Sequence, residues 1–413
     1  MYNVEITPKL LKGSVIAPPS KSQAHRLLIC SALAKGTSRV SNISLSKDII
    51  ATISALEAIG AKININADVA TINGIDIVNS TAKINCNESG STLRFIIPIV
   101  TALGINTEFF GEGKLPERPI TPYLLELTKN GVTFNYNNTM PFSVSGGLSA
   151  GEFIIDGGIS SQFITGLLFA LPLLNGNSQI ILTSKLQSKP YVDITIDCLS
   201  KFGVEIVENE NGYFIKGNQV YKPCDTSVEG DFSQAAFFYV ASAIGNNIQI
   251  LNIFEQSFQG DKKIIEIISS IGYNKNTNLL KPFKIDASDI PDIVPILTVL
   301  ASFCEGTSEI FNVARLRIKE SDRLASISKC INEIGGNVIA EADKLIITGV
   351  KSFNGGTVDS FNDHRIAMSM AIAATRCTKP LTILNAKCVE KSYPNFFEDY
   401  KKLGGEFNVI NME

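Results

Sequence analysis

Gly60-Ala61-Lys62-Ile63-Asn64-Ile65 and Gly203-Val204-Glu205-Ile206-Val207 share one form: a glycine that closes an apolar helical pattern, then a strand-like stretch. The same ending recurs at Gly131, Gly272, Gly335 and Gly404, so the six glycines stand 71, 72, 69, 63 and 69 residues apart. Glycine is favoured just past a helix because it takes left-handed backbone angles that a Cβ disfavours. A second set, Gly36, Gly104, Gly176, Gly245 and Gly306, lies 24 to 29 residues ahead of the first. Each of these also precedes a β-rich run, as Gly176 precedes Gln179-Ile180-Ile181-Leu182. In the sixth place Arg376-Cys377-Thr378 replaces the glycine, and Leu381-Thr382-Ile383-Leu384 still follows. Chance would supply some such spacings among 31 glycines, but not six matched endings. The chain therefore reads as an α/β protein of six repeats, each about 70 residues long and ordered strand–helix–strand–helix–strand–strand. The first helix of each repeat is strongly apolar, as in Leu93 to Leu103 or Ala235 to Ile244, and is expected in the interior.

The repeat lets corresponding positions be compared within the one chain. The first helices start at Ser20-Lys21-Ser22, Ser89-Gly90-Ser91, Ser160-Ser161-Gln162, Asp231-Phe232-Ser233, Pro291-Asp292 and Asp363-His364-Arg365. Several second helices open on Glu117-Arg118-Pro119, Ser188-Lys189-Pro190-Tyr191, Lys319-Glu320-Ser321-Asp322-Arg323 and Lys391-Ser392. Capping accounts for many of the Ser and Asp residues. It does not account for the cations, because positive charge opposes the helix dipole at an N-terminus. A bound anion would remove the conflict, held by free N–H groups and by Lys or Arg. Five of only nine arginines, Arg26, Arg94, Arg118, Arg323 and Arg365, lie at or within a turn of these starts. Arginine suits carboxylate and phosphate because its planar fork donates in two directions. Several anionic groups are therefore expected among these helix starts.

Composition narrows the partners. A chain of 413 residues favours two domains or more, and a net charge of −3 offers no general attraction to nucleic acid or an acidic membrane. Met1 to Val15 lacks the apolar core of a signal peptide, and the apolar stretch Phe163 to Leu174 is too short to span a bilayer. A cytoplasmic protein is expected. The eight cysteines form no CxxC pair and read as reduced, buried thiols, while His25 and His364 are too few for a histidine-rich metal centre. No metal and no cofactor are expected. Pro19-Ser20-Lys21-Ser22 lacks the glycines of a P-loop, and Gly111-Glu112-Gly113 lacks the third glycine of a dinucleotide fingerprint.

Eight segments together resemble the successive signatures of the 3-phosphoshikimate 1-carboxyvinyltransferase (EPSP synthase) family. They are Ala17-Pro18-Pro19-Ser20-Lys21-Ser22, Leu115-Pro116-Glu117-Arg118-Pro119, Gly158-Ile159-Ser160-Ser161-Gln162-Phe163 and Ser188-Lys189-Pro190-Tyr191. Val228-Glu229-Gly230-Asp231, Arg317-Ile318-Lys319-Glu320-Ser321-Asp322-Arg323, Asn362-Asp363-His364-Arg365 and Lys391-Ser392-Tyr393-Pro394 complete the set in family order. The stretch Asn87 to Arg94 departs from the pattern, with Glu88 where many relatives carry Asn and Phe95 following where Pro is frequent.

The resemblance implies two similar domains, each of three βαβαββ units, joined by two chain crossings. Mapped here, residues 1–19 and 229–413 would form one domain and residues 20–228 the other. It implies transfer of the enolpyruvyl group of phosphoenolpyruvate to a hydroxyl of shikimate 3-phosphate, in a monomer. By resemblance Lys21, Ser22, Arg26, Ser160, Ser161, Gln162, Ser188, Asp292 and Lys319 would hold shikimate 3-phosphate, with Tyr191 beside them. Lys21, Gly90, Arg118, Gln162, Arg323, Arg365 and Lys391 would surround phosphoenolpyruvate. Asp292, Glu320 and Lys21 are the catalytic candidates, with Asp292 as base at the shikimate hydroxyl and Glu320 acting at the methylene carbon. The alternative for either carboxylate is a capping role.

Three other readings compete. The sister transferase acting on UDP-N-acetylglucosamine usually has Lys-Asn where Lys21-Ser22 stands, and a loop cysteine that Gly111 to Pro119 lacks. An RNA-end-processing protein built from related repeats would be expected to be basic and to carry a catalytic histidine pattern. A noncatalytic anion-binding scaffold gives no reason for Asp292 and Glu320 among the cations.

Overall fold

A computed structural model of the chain describes residues 2–272 and 280–411. The chain forms two compact units: Pro19–Glu229, and the segment up to Pro18 together with that from Gly230 onward.

Within Pro19–Glu229, two repeats are continuous in sequence. Strand Thr81–Asn85, helix Gly90–Ala102, strand Asn106–Phe110, helix Thr121–Lys129 and strands Val132–Asn135 and Phe142–Gly146 make the first of these. Thr81–Asn85 runs parallel to Asn106–Phe110, which pairs antiparallel with Phe142–Gly146, and the hairpin strand Val132–Asn135 forms the other edge. Glu152–Ile155, Ser161–Ala170, Ser178–Leu182, Lys189–Lys201, Ile206–Asn209 and Gly212–Ile215 repeat the pattern with the same strand order. The unit's opening repeat, built on helices Lys21–Leu33 and Lys47–Ala58, lacks a leading strand of its own. Thr226–Ser227 supplies one, parallel to Thr37–Ser41.

The other unit shows the same borrowing. Lys284–Asp286 through Lys344–Thr348 is a continuous repeat around helices Val294–Ala301 and Arg323–Glu333. The last repeat, with helices His364–Ala374 and Phe396–Lys402, takes Tyr2–Thr7 between Leu381–Leu384 and Glu406–Asn411. Lys12–Ile16 runs parallel to Asn247–Leu251 beside helix Phe232–Ala243. The strand-like stretch expected after Gly272 lies outside the described residues. Among the described residues, three of the six repeats complete a sheet with a strand from elsewhere in the chain. A sheet edge next to a parallel strand needs a hydrogen-bonded partner, and the segments at each unit's ends provide it.

The repeating glycines do what their spacing suggests. Gly36, Gly60, Gly104, Gly131, Gly176, Gly203, Gly245, Gly272, Gly306, Gly335 and Gly404 all have positive φ. The first helices are interior: every residue of Val294–Ala301 and of His364–Ala374 is buried. Buried Leu, Ile or Phe contributes roughly 1.5–3 kcal/mol, so polar groups on such helices persist only where they find partners. Gly166 shows how tightly Ser161–Ala170 meets Gly90–Ala102. A Cβ there would stand 2.2 Å from the Tyr123 hydroxyl and 2.3 Å from the Arg94 carbonyl. Both of those atoms are bonded to each other, Tyr123 donating at 2.7 Å.

Candidate active site

The N-terminal ends of the interior helices carry the polar residues, and capping claims several. Ser20, Ser89, Ser160, Asp231 and Asp363 each accept a backbone N–H of the first turn. Acceptance leaves the three serine O–H groups as donors. Ser188 behaves differently. Its backbone is left-handed, at φ 58° and ψ 39°, and its buried side chain makes no capping bond.

In the Pro19–Glu229 unit, Lys21 Nζ lies 2.7 Å from Asp48 Oδ2, with both side chains largely covered. Gln162 is fixed from two sides, accepting from Arg94 at 2.7 Å and donating to Ser91 Oγ at 3.0 Å. Arg118 lies flat against Gly90: a Cβ on Gly90 would meet its guanidinium at 2.6 to 3.0 Å. Arg26 points inward. It donates to Thr195 Oγ1, Thr165 Oγ1 and the carbonyls of Ser22 and Tyr191, and covers the Phe95 ring at 5.2 Å. Burial pulls its guanidinium down to about 10. Beneath Lys21 runs a buried relay: His25 Nδ1 to Thr52 Oγ1, Thr52 to Thr92 Oγ1, and Thr92 to Ser89 Oγ, at 2.7 to 2.8 Å. Burial, with Lys21 and Arg26 adding to it, holds His25 well below its usual value, so it stays neutral.

In the other unit the guanidinium of Arg323 is the hub. It donates from Nε to Asp363 at 2.8 Å, from one terminal nitrogen to Asp292 at 3.0 Å, and from the other to Glu320 at 2.8 Å. Arg365 reaches the second oxygen of Asp292 at 3.4 Å and donates to the Ser233 carbonyl at 3.0 Å. Lys391 donates to the Asn362 carbonyl at 2.7 Å. Burial would raise the Asp292 carboxyl, but Arg365, Arg323 and Lys319 together hold it far below the carboxylate range. Desolvation brings the Lys319 ammonium down to about 7 in spite of Asp292, with Arg315 pushing the same way.

The helix-dipole reading of the cations needs correction. Arg118 and Lys319 sit just past the short 3-10 turns Leu115–Glu117 and Ala314–Ile318, and Lys391 ends the turn Ala386–Lys391. They precede the outer helices rather than opening them. Arg323 does open a helix, and three carboxylates offset its charge, with Asp322 as the cap. Sequence reasoning missed Asp48 and gave Asp363 no role beyond its motif. An acid that pairs with a cation far away in the chain leaves no local signature.

Comparison with known proteins extends over the whole chain. The profile of EPSP synthase (3-phosphoshikimate 1-carboxyvinyltransferase) matches residues 6–400. The chain belongs to the EPSP synthase family. A 3-phosphoshikimate 1-carboxyvinyltransferase of Clostridium perfringens is 48% identical, with 98% of this chain and 99% of that protein covered. One from Clostridioides difficile is 47% identical, and both chains are covered completely. The solved structure of EPSP synthase from Acinetobacter baumannii superposes with a TM-score of 0.83 at 25% identity, again over the full length of both. Both clusters, from Lys21 to Lys391, thus fall inside the EPSP synthase match.

Proposed function

We propose that the two clusters hold the substrates of this family's reaction and divide its proton transfers. The chain is a transferase of aromatic amino-acid biosynthesis. It moves the enolpyruvyl group of phosphoenolpyruvate to the 5-hydroxyl of shikimate 3-phosphate and releases phosphate through a tetrahedral intermediate. In our proposal Lys21, Ser22, Ser160, Ser161, Gln162, Ser188, Asp292 and Lys319 bind shikimate 3-phosphate. Arg26 supports them from below through Ser22 and Tyr191. Phosphoenolpyruvate is assigned to Lys21, Gly90, Arg118, Gln162, Arg323, Arg365 and Lys391. We take the two compact units as the functional domains, with crossings near residues 19 and 229.

The observation that carries this reading is the pair Asp292 and Glu320 on one guanidinium, beside a lysine poised near neutrality. Addition requires a proton to leave the attacking hydroxyl and another to reach C3 of phosphoenolpyruvate. While Arg323 and Arg365 are turned to Asp292, that carboxylate is a weak base. Substrate phosphate and carboxylate compete for the same guanidinium groups, and each cation drawn away raises the basicity of the carboxylate it leaves. Asp292 then accepts the hydroxyl proton and Glu320 serves C3.

The test is phosphate release from shikimate 3-phosphate plus phosphoenolpyruvate, with UDP-N-acetylglucosamine as control acceptor. Release with the sugar nucleotide alone would overturn the reading. A sharper check uses Gly90→Ala. The added methyl must push the Arg118 guanidinium aside, so the KM for phosphoenolpyruvate should rise by about tenfold, from loss of one charge-assisted contact. The KM for shikimate 3-phosphate should move far less. We also propose a monomer working in the cytoplasm. All eight cysteines are free thiols, as a reducing compartment would keep them, and light scattering tests the oligomeric state.

A further inference from the structure

Asp261 lies in the turn Gly260–Lys262, 2% exposed and outside every set of residues assigned above. Its Oδ2 accepts a short hydrogen bond from the Ser233 hydroxyl in the first turn of helix Phe232–Ala243. The carbonyl of that same Ser233 receives Arg365, whose other terminal nitrogen reaches Asp292. A chain of contacts thus runs from Asp261 through Ser233 and Arg365 to Asp292. We propose that Asp261 is a positioning residue for the transfer reaction, seating Arg365 through Ser233 and gaining or losing one proton to set how strongly Arg365 attracts phosphoenolpyruvate.

The proposal rests on the assignment of Arg365 to phosphoenolpyruvate. Among the described residues, the charged groups facing Asp261 include Asp292, Arg365 and Asp231; Lys262, on its own turn, is tied back to the Ser257 carbonyl. Burial raises the Asp261 carboxyl to about 7, Asp292 and Asp231 push the same way, and Ser233 and Arg365 oppose them. Below that value the group is a neutral acid, and Arg365 serves Asp292 and the incoming anion. Above it a second carboxylate competes for Arg365 and repels the substrate's negative charge. Binding of an anion at Arg365 therefore favours the protonated form.

Two measurements test this. The KM for phosphoenolpyruvate, followed from about pH 6 to pH 9, should rise by about tenfold in the unaltered enzyme, as a one-unit linked shift requires. Asp261→Asn, which mimics the neutral acid and keeps an acceptor for Ser233, should remove that rise, so the ratio of the two profiles isolates Asp261 from the titrations of Lys319 and of the substrate. Asp261→Ala, which loses the acceptor, should have a raised KM at every pH. The second measurement is thermal melting. The folded state binds this proton more tightly than the unfolded chain, so stability is lost as pH climbs from the ordinary carboxylate range to about 7. The melting temperature of Asp261→Asn relative to the unaltered enzyme should climb over the same window. An Asp261→Asn enzyme with the original pH dependence of KM overturns the proposal, even if Asp261→Ala fails to fold. Arg365→Lys with an unchanged KM would instead defeat the assignment beneath it.

Discussion

Glu320→Gln should lower turnover by about 10²–10⁴-fold, the usual contribution of one acid–base group, while shikimate 3-phosphate binding measured by calorimetry is retained. Glu320 is held by Arg323 at 2.8 Å, and a glutamine carbonyl can accept the same bond. The substitution therefore keeps a hydrogen bond to Arg323 while removing the carboxylate's charge and its capacity to exchange a proton. The loss should appear in kcat and kcat/KM alike, as expected for an interaction made in the transition state. If binding and turnover fall together, Glu320 serves to position Arg323. If turnover survives, another group delivers the proton to C3, and Lys319 is the first to examine because its ammonium sits near neutrality.

Lys21→Ala should reduce kcat by about 10²–10³-fold or more, the cost of removing one preorganised donor from a developing charge. Lys21 is assigned to both substrates, so both KM values should also rise. A side effect complicates the single variant: Asp48 loses the ammonium 2.7 Å away and remains as a largely covered anion near the site. The double variant Lys21→Ala with Asp48→Asn separates the two effects. Recovery in the double variant would assign the loss to repulsion by Asp48. Persistent loss, with melting curves that match the unaltered enzyme, would assign it to the missing cation.

Much of the fold was legible because glycine and apolar period are local signals. The turn after each helix needs positive φ, and Gly131 or Gly335 states that need in a single letter. The borrowed strands were not legible. Thr226–Ser227 is only two residues long, and its pairing with Val40 and Ser41 depends on chain 186 residues away. The cations of the site were visible as arginines in an otherwise lysine-rich chain, but their partners were not. Arg26 and Arg323 carry the same side chain near helix starts, yet one meets hydroxyls, carbonyls and a ring while the other meets three carboxylates. Only packing distinguishes them. Glu88, the departure from the family pattern, stands against Gly113, where a Cβ would lie 2.5 Å from its carboxylate.

The placement of Tyr2–Thr7 imposes an order on biosynthesis. This strand is made before Pro19–Glu229, but its neighbours Leu381–Leu384 and Glu406–Asn411 are made well after it. Pro19–Glu229 contains the strands of all three of its sheets and can close as soon as Thr226–Ser227 emerges. The other unit must wait, with Tyr2–Thr7 unpaired, until Leu381–Leu384 and Glu406–Asn411 have been made. Its assembly thus includes a loop closure across the whole of Pro19–Glu229, and a nascent chain stalled before Leu381 would present Tyr2–Thr7 as an open edge to chaperones.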